Sequence, residues 1–134
     1  MDSKELLFQI KQLSDYPDQI EIDNYFNILI KNSITDLESA FISMWELSDR
    51  QWHTYEMIRY EIKIKIEKWI IKNIDFRNKK IISRACGIIG MLGLNESFEW
   101  LKKNKGETVD EIKKEIEDFI NEVSDSVDNP YSGM

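Results

Sequence analysis

Apolar side chains recur every three to four residues along nearly the whole chain, the spacing of one face of an α-helix. Asp2 and Glu5 have the spacing of a capping box, in which each side chain satisfies a free backbone N–H of the other. Leu6, Leu7, Ile10 and Leu13 then supply the buried face of a first helix. Pro17 has no N–H to donate inside a helix, so residues 14–18 read as a turn. A second helix is expected over about 20–31, burying Ile22, Tyr25, Phe26, Leu29 and Ile30, with Asn32 and Ser33 as its stop. Thr35 and Glu38 repeat the capping-box spacing ahead of a face made by Leu37, Phe41, Met44 and Trp45. Ser48 or Asp49 is expected to cap the longest helix, over about 50–73.

Two periods compete inside that segment. Tyr60, Ile62, Ile64 and Ile66 alternate with Glu61, Lys63, Lys65 and Glu67, as in a half-buried strand, whereas Tyr55, Ile58, Ile62, Ile66, Trp69 and Ile70 fit one helical stripe. A strand must pair its backbone, and the only other alternation is the short run at 19–22, so residues 58–66 are expected to be helical and central. Asp75 or Asn78 caps a helix holding Ile81, Ile82, Ala85, Ile88, Ile89 and Leu92, which Gly93 ends. Asn95 caps a short helix with Phe98, Trp100 and Leu101, closed by Gly106. Thr108 and Glu111 make a third capping box for a last helix that buries Val109, Ile112, Ile116, Phe119, Ile120, Val123 and Val127. The expectation is an all-α protein: one helical domain over 1–128, either a compact antiparallel multi-helix bundle or a short helical stack, with an irregular, mobile tail at 129–134.

Composition agrees with that reading. The chain has 134 residues, the length of one domain, and its 42% apolar and 11% aromatic content is enough for a core. Five glycines and two prolines are too few for the corners of a many-stranded sandwich or barrel. Cys86 stands alone, so no disulfide forms within the chain, and an intracellular, cytoplasmic protein is expected. No apolar run approaches a membrane span, and no basic-then-apolar leader is visible at the N-terminus.

Charge is unevenly placed. Residues 1–106 hold 16 acidic and 16 basic side chains, while residues 107–134 hold nine acids against Lys113 and Lys114, so the net charge of −7 lies entirely in the last segment. That argues against direct contact with nucleic acid, whose backbone calls for clustered Lys and Arg, and for a basic protein partner. Glu111, Glu115, Asp118, Glu122 and Asp125 are 4, 3, 4 and 3 residues apart and fall within one stripe of about 80° on the last helix, flanked by Asp110, Glu117 and Asp128. The stripe is either a face for a basic partner or one neutralised within the protein by the basic group Arg77, Lys79, Lys80 and Arg84. A second candidate surface is the stretch from Met44 and Trp45 through Trp52, His53, Tyr55 and Met57 to Arg59 and Tyr60, rich in residue types that anchor interfaces. The same residues would also serve as the core at a helix corner. Trp52 and Tyr55 join the five acids as the expected partner-binding residues.

Catalytic, cofactor and metal sites are not expected. His53 is the only histidine, where a metal site calls for several His or Cys ligands. Cys86 lies among small residues of a helix crossing and reads as an inert buried thiol. Gly87, Gly90 and Gly93 recur every third residue on a helix, not in a phosphate-binding turn.

Two resemblances bear on the fold and the role. Arg84-Ala85-Cys86-Gly87-Ile88-Ile89-Gly90-Met91-Leu92-Gly93, followed by Ser97, Trp100 and Leu101, resembles one HEAT-type helical repeat over residues 84–101. The resemblance implies a stack of helices, in which Ala85, Gly87 and Gly90 permit close approach. In size, acidity and helical content the chain is similar to small bacterial immunity proteins, and its Ile-, Lys- and Asn-rich composition suits a bacterial or phage origin. That similarity implies an inhibitor, not an enzyme, that occludes a cognate basic toxin domain of nuclease type. The alternatives are a phage-derived acidic mimic of nucleic acid that inhibits a host complex, and a helical scaffold or adaptor.

Overall fold

The structure, a computed structural model, describes residues 1–123 and 126–131. Seven α-helices account for most of it: α1 (Ser3–Lys11), α2 (Gln19–Lys31), α3 (Leu37–Trp52), α4 (Tyr60–Asn73), α5 (Lys79–Leu92), α6 (Asn95–Asn104) and, after a single 3-10 turn, α7 (Asp110–Val123). Among the described residues there is no strand. None of these helices is long and apolar enough to cross a membrane.

The helices form two layers. In one, α1 packs on α3, α3 on α5 and α5 on α7; in the other, α2 packs on α4 and α4 on α6. Within the first layer the helices run parallel. Thr35, before α3, accepts from the backbone N–H of Ser3 at 2.8 Å, while Arg50, near the end of α3, donates to the carbonyls of Leu13 and Ser14 just beyond α1. Between layers the direction reverses: Gln19 at the start of α2 hydrogen-bonds Gln51 at the end of α3. Of the two arrangements expected, the chain adopts the stack. The core between the layers includes Leu6, Ile10, Ile22, Phe26, Phe41, Met44, Leu47, Ile66, Ile70, Ile82, Ile89 and Phe98, all inaccessible to solvent.

Residues 58–66 resolve as helical from Tyr60 onward. Ile62, Ile66, Trp69 and Ile70 point inward at helical spacing, and Ile64 is only half-buried, so the strand-like alternation is incidental. The expected long helix over 50–73 is instead interrupted. Ser48 does not cap a new helix: its buried hydroxyl donates to the Met44 carbonyl within α3, which continues to Trp52. The break falls at 53–59, after which α4 starts afresh.

Several caps also differ from expectation. Asp36, not Thr35, caps α3 by accepting from the N–H of Ser39, because the Thr35 hydroxyl is engaged with Ser3. Hydrogen bonds from Ser39 hold the Asp36 carboxyl below its usual range. Asn95 is the first residue of α6, and Leu94 ahead of it offers no cap. The buried Glu67 of α4 supplies one from the other side of the interface, accepting from Ser97 N–H at 2.8 Å and from the Ser97 hydroxyl at 3.3 Å. The Thr108 hydroxyl donates to the Phe76 carbonyl, and α7 starts at Asp110. Val109, expected inside, is 63% exposed, since it precedes the first turn whose face is buried.

Candidate protein-binding surface

The α3–α4 connection is built to present side chains outward. Tyr55 has φ 61°, the left-handed region that an L-residue with a Cβ enters at a cost. The backbone around it is held on several sides. Buried Gln51 donates to the Glu56 carbonyl at 3.0 Å, and the Thr54 hydroxyl donates to the Gln51 carbonyl at 2.7 Å while accepting from the Glu56 N–H at 3.1 Å. The result exposes Tyr55 (65%), Met57 (48%) and Tyr60 (71%), while Ile58 between them stays buried.

The C-terminal segment completes this surface. The Trp52 indole N–H donates to the Pro130 carbonyl at 3.2 Å, and the Tyr131 hydroxyl donates to the Trp52 carbonyl at 2.9 Å. Burial pushes the Tyr131 phenol above its ordinary pKa. The rings of Trp52, Tyr55 and Tyr131 form a triangle with centroids 5.8–6.4 Å apart. His53 and Tyr16 extend it on one side through edge contacts at 5.1 and 6.2 Å. The tail was expected to be irregular and mobile. Residues 129–131 are non-helical, and Pro130 and Tyr131 make these contacts with Trp52; residues 132–134 lie outside the described residues.

The aromatic stretch thus divides between core and surface. Met44 is fully buried, Trp45 is half-buried in a groove beside α5, and the half-buried Trp52 packs beside the exposed Tyr55. Tyr131 and Ile20 were not singled out from the sequence. Ile20, 75% exposed, had a signal, because it lies 200° around α2 from Ile22 and so points away from the core face. Tyr131 had none.

The acidic face of α7 is less uniform than its spacing suggests. Ile112, Ile116 and Ile120 turn inward, and Phe119 packs on Phe98 with centroids 5.9 Å apart. Glu111 is exposed but bound to Lys79 at 2.6 Å. Their hydrogen bond lowers the Glu111 pKa and raises that of Lys79. Glu115 is half-buried, and its Oε2 is shielded from solvent with no hydrogen-bond partner among the described residues. Its charge faces Cys86, whose thiol is pushed up to about 12, chiefly by burial and further by Glu115. Asp118 is exposed with Lys114 at 3.4 Å, and Glu117 on the flank has Lys105 at 3.9 Å. Glu122 on the stripe, Asp110 at the start of α7 and Asp128 in the turn beyond its end are exposed and form no ion pair among the described residues. Asp125 lies outside the described residues.

Of the basic group weighed against this stripe, only Lys79 reaches it. Arg77 turns to Asp75 at 3.6 Å, and Arg84 lies over the Trp45 ring at 4.9 Å. His53 and Cys86 are not brought together. The Nδ1 of His53 lies 2.7 Å from the Asp49 carbonyl, which only accepts, so that nitrogen carries the proton. Cys86 is buried against α7.

Comparison with models of known protein families, with curated proteins and with solved structures finds no match to this chain.

Proposed function

We propose that this protein is an immunity-type inhibitor that binds and occludes a basic, nuclease-type toxin domain in the cytoplasm. One observation carries the reading. An exposed Tyr55, packed with the half-buried rings of Trp52 and Tyr131, is held at the surface by a connection whose backbone is strained at Tyr55. Strain of this kind persists only where the surrounding structure enforces it, and it concentrates at functional positions. Tyr and Trp anchor interfaces because they bury a large area while losing little side-chain freedom. The exposed carboxylates of Glu122 and Asp128, toward the C-terminal end of the chain, would steer a basic partner toward this face. Glu111 and Asp118 contribute less, because Lys79 and Lys114 already partner them.

The test is affinity capture from a lysate of the encoding cells, comparing the wild-type chain with Tyr55→Gly and Glu122→Lys. The expected result is a basic domain retained one-to-one by the wild type, retained at least about tenfold less well by Tyr55→Gly, and captured more slowly by Glu122→Lys. Failure to retain any stoichiometric partner, or equal retention by both variants, refutes the reading. Capture of a multi-subunit nucleic-acid-binding complex would replace it with the nucleic-acid mimic.

A further inference from the structure

A second concave site lies between α3 and α5, separate from the aromatic triangle and independent of the function proposed above. The half-buried Ile42 and Trp45 present its apolar side above the buried Phe41 and Ile81, Glu38, Lys80 and Arg84 form its rim, and the open groove has a volume of about 540 Å3, within the range of ligand sites. Gly87 makes the site possible. A Cβ there would lie 2.8 Å from Trp45 Nε1 and 3.0 Å from Cδ1, so any larger residue would drive the indole off α5. Trp45 in turn seats Arg84, whose guanidinium carbon is 4.9 Å from the ring centroid. A cation–π contact orients the guanidinium without consuming its N–H donors.

Those donors are uncommitted. Arg77 and Lys79 each have a carboxylate partner, but the side chains of Arg84 and Lys80 form no ion pair or hydrogen bond among the described residues. A planar, oriented guanidinium at the mouth of an apolar groove matches a carboxylate.

We propose that this groove binds the C-terminal carboxylate of a polypeptide whose last side chain is apolar. Arg84 and Lys80 take the carboxylate, and Ile42 and Trp45 pack against the side chain. Charge selects this ligand over a phosphate monoester. Glu38, Lys80 and Arg84 sum to one positive charge, which balances a monoanion and leaves a phosphate, at about −1.5 to −2, unneutralised. Glu38 accepts from Asn78 Nδ2 at 3.2 Å through one oxygen, and its other oxygen is available to a backbone N–H of the incoming chain. Shape selects it over a fatty acid: an open groove between two helices covers one side chain but leaves a long alkyl tail in water.

The full chain is titrated with the peptide acetyl-Gly-Gly-Gly-Phe bearing a free carboxylate, the same peptide amidated, decanoate and phenyl phosphate. The readout is the indole N–H resonance of Trp45, assigned with Trp45→Phe. Saturable movement by the free-acid peptide is expected, with the amide and the Arg84→Gln variant each weaker by about tenfold or more. Lys80→Gln, a change at an exposed position, should weaken binding several-fold and keeps the test readable if Arg84→Gln loses its fold. The proposal is overturned if the free-acid peptide leaves Trp45 unmoved or the amide binds equally well. It is also overturned if decanoate or phenyl phosphate binds more tightly than the peptide, or if Lys80→Gln changes nothing.

Discussion

Replacing Tyr55 by glycine and by alanine separates the backbone of the α3–α4 connection from the ring it displays. Both changes remove a phenol whose centroid is 6.4 Å from that of Trp52 and 6.0 Å from that of Tyr131, so the lost ring contact is common to the two. They differ in what they leave at φ 61°. Alanine keeps a Cβ in the left-handed region, at about 1–2 kcal/mol. Glycine enters that region freely but loses about 0.4–1 kcal/mol through the greater freedom of its unfolded chain. The glycine variant should therefore be the more stable of the pair by about 0.5–1 kcal/mol, the reverse of their usual order. For a domain of this size that is about 2–4 °C in Tm. Urea unfolding followed by circular dichroism measures it, provided the two variants share one m-value. An alanine variant as stable as the glycine variant would show that the connection is not strained, and the argument from Tyr55 to a binding surface would fall with it.

Glu67→Ala orphans the buried N–H of Ser97 at the start of α6 and should destabilise the protein by about 1–3 kcal/mol, read from the urea midpoint. A loss under about 0.5 kcal/mol would mean that α6 caps itself. Glu111 is held below its usual 4.5 by Lys79, so this pair stabilises the fold above pH 4.5 and stops doing so as pH falls through the lowered value. Lys79→Met should raise the Glu111 midpoint toward 4.5 in a carboxyl NMR titration, and an unmoved midpoint would refute the pairing. Cys86, its thiol pushed up to about 12, should react with a thiol reagent at pH 8 only as fast as the protein opens, with the rate rising steeply in urea. Rapid labelling of the native chain would place the thiol outside the core.

Much of the fold is legible in the sequence because helical spacing is a local property. The stripe Ile62, Ile66, Trp69 and Ile70 gives α4 its buried face, Asp2 and Glu5 cap α1, and Gly93 at φ 66° ends α5. Each depends on residues within a turn or two of one another, where geometry leaves few choices. The misread caps share one physical cause, since a short polar side chain satisfies any nearby group and tertiary packing decides which. Thr35 goes to Ser3 of another helix, Ser48 goes back to its own, and α6 is capped by a carboxylate thirty residues away.

The candidate surfaces divide along the same line. Helical periodicity alone puts Glu111, Glu115, Asp118 and Glu122 on one edge of α7, and composition alone shows an aromatic-rich stretch around Trp52. Only the tertiary structure decided that Lys79 neutralises the first of those acids, that Glu115 turns inward, and that Tyr131 returns to pack beside Trp52 and Tyr55. It also sent Arg84 to Trp45 instead of to the acidic face, through the space left by a glycine three residues on. The sequence determines which residues share a helix face, because that depends on a rotation of 100° per residue. Which faces meet depends on how two layers of helices stack, and contacts between residues 30 to 80 positions apart leave no periodic trace along the chain.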